Sequence, residues 1–184
     1  MLSLLVAILL TGSSLAAPTD TPAPRTHSCT SRSSAVREWT VSNFDFHASY
    51  IFTQPAHQNS WGYVNFTLSN SVVPYTAICQ GSSNQLNDFF YGNFPYKCTT
   101  PGYVDGVTFT FSRPSGELKI NQTWSCPDEG SWFEARGGIK LDLKCKDKKW
   151  QNPDWAPGQI YSTRNIDCEH VTVKAPISDM SGVA

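Results

Sequence analysis

The run from Val107 to Trp124 reads VTFTFSRPSGELKINQTW. Val107, Phe109 and Phe111 fall on one side of an extended chain, and Thr108, Thr110 and Ser112 on the other. That two-residue period is the signature of a half-buried β-strand. Arg113-Pro114-Ser115-Gly116 then supplies turn residues for a tight loop. Beyond it the alternation resumes, with Leu118 and Ile120 inward and Lys119, Asn121 and Thr123 outward. Two amphipathic strands joined by a tight loop form an antiparallel hairpin, and the rest of the chain extends this pattern.

Toward the N-terminus, Trp61 to Ser69 places Val64, Phe66 and Leu68 on one face and Asn65 and Thr67 on the other. Toward the C-terminus, Gly138 to Cys145 sets Ile139, Leu141 and Leu143 against Lys140, Asp142 and Lys144, with Cys145 on the apolar face. Thr100-Pro101-Gly102, Pro127-Asp128-Glu129-Gly130 and Asn152-Pro153-Asp154 are further turn signals. The best short helix candidate is Ser83 to Phe89, and no longer helix is expected. No internal repeat is visible. Many short strands with regular turns predict an all-β fold, a compact antiparallel β-barrel or sandwich stapled by disulfides.

At 184 residues the chain fits one domain with a full core. Aromatics make up 12% and charged residues 16%, a composition suited to half-buried pleated surfaces. The formal net charge of −1 argues against nucleic acid as a partner, because phosphate binding needs a basic surplus.

Leu2 to Leu10 is an apolar run too short for a transmembrane helix, which needs roughly 20 such residues. It reads as the core of a signal peptide over residues 1–16, with cleavage after Ala16. The segment 17–28, with Pro18, Pro22 and Pro24, reads as a disordered leader. A single β domain is expected over 29–173, followed by a flexible tail over 174–184. No later segment reads as a membrane span, so a secreted, extracellular protein is expected. Its six cysteines, Cys29, Cys79, Cys98, Cys126, Cys145 and Cys168, form an even set that reads as a disulfide framework. Six cysteines allow many pairings, and spacing alone selects none. Two sequons mark Asn65 and Asn121 as glycan acceptors, both on the outward faces of their strands.

The order of these features resembles a known family. Cys29 precedes Trp39-Thr40-Val41 and Phe44, a W-x-V-x-x-F opening. The Tyr63 to Leu68 strand, Cys79, Tyr96-Lys97-Cys98, Phe109-Thr110-Phe111, Cys126 and Cys145 follow in turn. This pattern, over residues 29–145, is similar to the Alternaria major-allergen family of small fungal secreted proteins, also met as elicitors and effectors. The resemblance implies a compact antiparallel β-barrel with Cys79 paired to Cys98 and Cys126 paired to Cys145. In the family, the cysteine at the place of Cys29 can join two subunits. This chain departs from the pattern by an extra Cys168, which predicts an internal Cys29–Cys168 bridge and leaves a homodimer open without a covalent link.

No catalytic motif stands out. Asp128, Glu129, Glu134 and Asp142 are the carboxylates a glycosidase could draw on, but turn and outer-face positions favour solvated surface roles. His27, His47, His57 and His170 are scattered, and adjacent Glu169 and His170 would point to opposite faces of a strand, so no metal is expected. No G-x-S-x-G or C-x-x-C occurs. The basic run Lys144, Lys146, Lys148 and Lys149 reads as a solvated strand end, diluted by Asp142 and Asp147. Trp61 and Tyr63 share the outer face with Asn65, and Trp132, Trp150 and Trp155 lie in or near loops, where exposed rings can stack on sugars or anchor a protein. The expectation is a non-enzymatic protein without cofactor that binds outside the cell. The resemblance implies host interaction, with a host or plant protein or a cell-wall glycan as partner. A carbohydrate- or small-ligand-binding module is the alternative, and a small secreted hydrolase the third reading.

Overall fold

The computed structural model describes residues 28–84, 89–101 and 106–183. The signal-peptide segment 1–16, all but the last residue of the 17–28 leader, Gly102 and most of the Ser83–Phe89 candidate helix lie outside the described residues. The described chain folds as one short α-helix, α1 (Cys29–Ala35), a single 3-10 turn over Pro127–Glu129 and ten strands. These are β1 (Glu38–Gln54), β2 (His57–Ser69), β3 (Thr76–Ser83), β4 (Tyr96–Lys97), β5 (Gly106–Ser112), β6 (Glu117–Cys126), β7 (Ser131–Lys140), β8 (Cys145–Gln151), β9 (Ser162–Cys168) and β10 (Val171–Val183).

Eight strands run side by side in the order β3-β2-β1-β10-β7-β6-β5-β4. The two ends of this antiparallel sheet nearly meet. Ile78 and Thr99 exchange backbone hydrogen bonds of 3.0 and 2.8 Å across the seam, and the Cys79–Cys98 disulfide lies beside them. The result is a nearly closed β-barrel, as expected. The β5–β6 hairpin forms with Val107, Phe109, Phe111, Leu118 and Ile120 buried. Gly116, at φ 71°, turns the loop, and its N–H donates to Ser112 O at 2.8 Å.

The barrel is filled by aromatic rings. Phe44 stacks on Phe66 at 5.6 Å between centroids and meets Phe111 edge-on at 5.1 Å. Phe66 in turn meets Phe109 at 4.9 Å. One polar group sits among them without penalty: Gln122 Oε1 accepts from Trp39 Nε1 at 2.7 Å and from Asn70 Nδ2 at 3.0 Å.

The W-x-V-x-x-F opening has a geometric meaning. Trp39 and Val41 are buried at odd positions, whereas Phe44, Phe46 and Ala48 are buried at even ones. A strand with period two cannot bury both sets unless one residue is inserted. The register of β1 shifts between Val41 and Phe44 against β10, and between Ser42 and Asp45 against β2, with Asn43 at φ 53°. This β-bulge moves the apolar set back onto the core face, and β1's neighbour changes just beyond it, from β10 up to Phe44 to β9 from His47 on.

Helix α1 packs against the end of β6. Ser28 Oγ caps Ser31 N at 3.2 Å, and Glu129 Oε1 and Oε2 accept from Cys29 N and Thr30 N at 2.8 and 3.0 Å. Those contacts satisfy amides that a helix start leaves free. Trp124 Nε1 donates to the buried Ser33 Oγ at 2.9 Å.

Several expectations need correction. Cys79–Cys98 forms, but Cys29 bonds Cys126, with Cα atoms 5.7 Å apart, and Cys145 bonds Cys168, at 3.9 Å. Neither Cys126–Cys145 nor Cys29–Cys168 exists. Strand register decides this: Cys145 and Cys168 face each other directly in the β8–β9 ladder, while Cys126 ends β6 beside α1. Gly138 to Cys145 is not one strand. It comprises the end of β7, a connection over 141–144 and the first residue of β8, where Cys145 is exposed rather than on an apolar face. Residues 174–183, expected as a flexible tail, continue β10, which fills the gap between β1 and β7. The domain therefore runs to the end of β10.

Candidate functional site

β9 and β8 form a hairpin that leaves the barrel. β9 pairs with the second half of β1, and β8 pairs with β9. Every residue of β8 is exposed. The hairpin extends the sheet β2-β1-β9-β8, and the outer face of that sheet collects residues from four strands.

Past the bulge, the outward residues of β1 are Asp45, His47 and Ser49. The register sets His47 between Tyr63 on β2 and Asp167 on β9, and Ser49 between Trp61 and Asn165. The His47 ring lies over Tyr63, 5.3 Å between centroids at 16°, and 4.8 Å from the Trp61 ring. Its Nδ1 lies 2.5 Å from Asp167 Oδ1, which fixes the ring's orientation. Ser49 Oγ donates to Asn165 Oδ1 at 2.7 Å. Burial, then the charge of Asp45 and its hydrogen bond, push the Tyr63 phenol above its ordinary value, so Tyr63 stays a protonated hydroxyl. Trp61 remains 45% exposed in this stack.

The face continues across β8. Lys146 stands opposite Asp167, Lys148 opposite Asn165 and Trp150 opposite Thr163. Trp150, 51% exposed, lies three strands from Trp61, or about 15 Å at the usual strand spacing. The arrangement is an open surface with an indole ring on each edge strand and two lysines beside Trp150 on β8.

The other expected residues fall elsewhere. Trp155 is tied into its own loop, where its Nε1 donates to Gln159 O at 2.9 Å and its ring meets Tyr161 edge-on. Trp132, 36% exposed, sits on β7 opposite Val183 of β10. Trp132, Trp150 and Trp155 therefore do not form one site. His47 belongs to the aromatic stack, and residue-by-residue reading missed it. The alternation of Phe44, Phe46 and Ala48 with Asp45, His47 and Ser49 is the signal that places it.

The four carboxylates weighed for catalysis are not brought together as a pair across one bond. Glu129 caps α1, and hydrogen bonds from Thr30 and Cys29 hold its carboxyl below the usual range. Glu134 accepts from Arg136 and from Asn121 Nδ2 at 2.7 and 2.9 Å, and these bonds lower it likewise. Asp142 is 94% exposed, 3.9 Å from Lys144, and Asp128 lies in the exposed turn after β6. His57 contacts Thr53, and His170 lies 3.5 Å from Asp45. Among the described residues no group of histidines, cysteines and carboxylates could hold a metal. Both sequon asparagines are half-buried on outward faces. Asn121 lies in a shallow groove of about 690 Å3 above Gly137 and Gly138.

Nearly closed strands and three disulfides define a small disulfide-stapled β-barrel with an open aromatic face. A family model described as Alternaria alternata allergen 1 matches residues 41–168, and the chain belongs to that family of allergen-like fungal proteins. The match runs past Cys145 to Cys168, so it includes the β8–β9 hairpin. No curated protein and no solved structure matches the chain.

Proposed function

We propose that this is a secreted, non-enzymatic binding protein that acts in host interaction, and that the outer face of β2-β1-β9-β8 is its working surface. The observation that carries the reading is the Trp61–His47–Tyr63 stack, exposed yet locked in place. Its rings are held by two ladders and by Asp167, so little side-chain freedom is lost on contact. Exposed indole and phenol rings of this kind anchor protein partners. Lys146 and Lys148 add positive charge along the β8 edge of the face, which suits a host protein with an acidic rim.

Immobilised protein is expected to bind a saturable component of plant extracellular fluid, and Trp61→Ala to weaken that binding by about thirtyfold, as for a hot-spot residue worth about 2 kcal/mol. Full affinity in both Trp61→Ala and Tyr63→Ala, with unfolding unchanged, would remove this face from the proposal. A glycan is the second reading, supported by one observation: the stacked rings are flanked by Asp45 and Asp167, carboxylates able to accept from sugar hydroxyls. Saturable binding of a cell-wall oligosaccharide, lost in Trp61→Ala, would favour the glycan over the protein.

A further inference from the structure

A second cleft, of about 380 Å3, opens where the β5–β6 loop, the 141–144 connection and the β8–β9 hairpin meet. It lies among other residues than the aromatic face. Arg113 and Arg164 both line it, and each guanidinium carbon is 5.7 Å from the centre of the Tyr50 ring. The two arginines are in different states. Arg164 is engaged by Asp147, with Nε 2.9 and 3.0 Å from the two carboxylate oxygens and Nη2 2.6 Å from Oδ2. That leaves Nη1 of Arg164 outside the pair. Arg113 has no ion-pair partner among the described residues. Its Nε is buried with nothing to donate to, and the Tyr50 hydroxyl is buried without a partner too.

Native proteins seldom leave such groups unsatisfied, because each has given up its water for nothing. The other described charges of the cleft do not supply the missing acceptor. Asp147 is committed to Arg164, and Asp142, the other carboxylate lining the cleft, projects into solvent beside Lys144. Among the described residues the two guanidiniums share one close carboxylate, Asp147, which pairs with Arg164 and also feels the charge of Arg113. The same cleft is also lined by the apolar side chains of Phe46, Leu141, Leu143 and Ile166.

We propose that this cleft binds a small organic carboxylate, its head held by Arg113 and the free edge of Arg164 and its apolar body lying against Phe46, Leu141 and Ile166. A planar guanidinium matches a carboxylate in a two-bond fork, and two guanidiniums sharing one close carboxylate suit a monoanion. Inorganic phosphate would leave the apolar wall unused. The volume is that of a pocket for one small ring-bearing molecule. Burial pushes the Tyr50 phenol up, with Arg113 and Arg164 pulling against it, so the hydroxyl keeps its proton and remains a donor.

Benzoate is the probe, titrated into the whole secreted protein at neutral pH while methyl resonances are followed by NMR. The expected result is saturable shifts confined to Leu141, Leu143 and Ile166, little response to benzyl alcohol, which has the ring without the charge, and weaker binding of phosphate. Arg113→Gln is expected to lower benzoate affinity by about tenfold, the loss of one charge-assisted fork. Arg113→Lys keeps the charge without the fork and is expected to lose several-fold, which serves the comparison should the glutamine variant fail to fold. Absence of saturable shifts at these methyls, phosphate binding as tight as benzoate, or wild-type affinity in a folded Arg113 variant would each overturn the assignment.

Discussion

The barrel and the β8–β9 hairpin are built from the same kind of ladder but held by different forces. In the barrel each strand has a neighbour on both sides or meets the seam, and its inward face is filled by rings such as Trp39, Phe44 and Phe111. In the hairpin, β8 has one neighbour and no buried residue; Ile166 of β9 alone is buried. What holds β8 is the Cys145–Cys168 bond at one end of the ladder and the Arg164–Asp147 pair within it. A two-stranded ribbon of this kind is marginal by itself. Burial sustains the barrel, and covalent and polar ties sustain the hairpin. Lysines along an open strand edge also discourage another chain from pairing with it.

The largest expected effect tests the barrel half of this contrast. Trp39→Ala removes a fully buried indole and the donor to Gln122. It is expected to cost about 3–5 kcal/mol in denaturant unfolding. A loss under about 1 kcal/mol, the size of a surface change, would mean that the ring core is not what sustains the barrel.

The second prediction separates the two regions. Replacing Cys145 and Cys168 together by serine removes a bridge whose ends are 23 residues apart, worth up to about 3 kcal/mol in the chain-entropy model. Hydrogen exchange is expected to speed up in β8 and β9 while amides of β5 and β6 keep their protection. If all strands lose protection together, the hairpin and barrel are one cooperative unit and the contrast fails.

The smallest effect concerns α1. Its capping carboxylate, Glu129, has a folded pKa below its unfolded one, so its contribution is present above the ordinary carboxylate range and is lost as pH falls through the depressed value. Wild type is expected to lose more stability on acidification through that window than Glu129→Gln, as measured by unfolding at a series of pH values. Parallel curves would show that the cap is not sensed by the fold.

The barrel half was legible in the sequence because its strands are half-buried. Val107 to Trp124 and Trp61 to Ser69 alternate as their burial does. β8 was not legible, since a strand exposed on both faces has no burial to print on Lys146 to Gln151. β10 could have been found: Val171, Val173, Ala175 and Ile177 alternate, though Pro176 and the polar residues after it mask the period. The candidate surface was half legible. Trp61 and Tyr63 could be placed on an outer face, but their meeting with His47 and Asp167 depends on cross-strand register, which no single strand records. The Cys145–Cys168 disulfide was hidden for the same reason, and Cys29–Cys126 because it depends on where α1 docks against the end of β6.

The bulge in β1 bears on how such chains can diverge. A strand is read two residues at a time, and Ser42-Asn43 acts as a frameshift within it. Deleting one residue there would close the bulge and leave both apolar sets inward, whereas deleting one from the regular stretch 44–48 would turn over every residue on one side of the cut. Deleting one from the Arg113–Gly116 loop would leave both flanking strands in frame. Change in length should therefore accumulate in the loops and at the bulge and be purged from the regular stretches of β1, however freely the individual residues of that strand are exchanged.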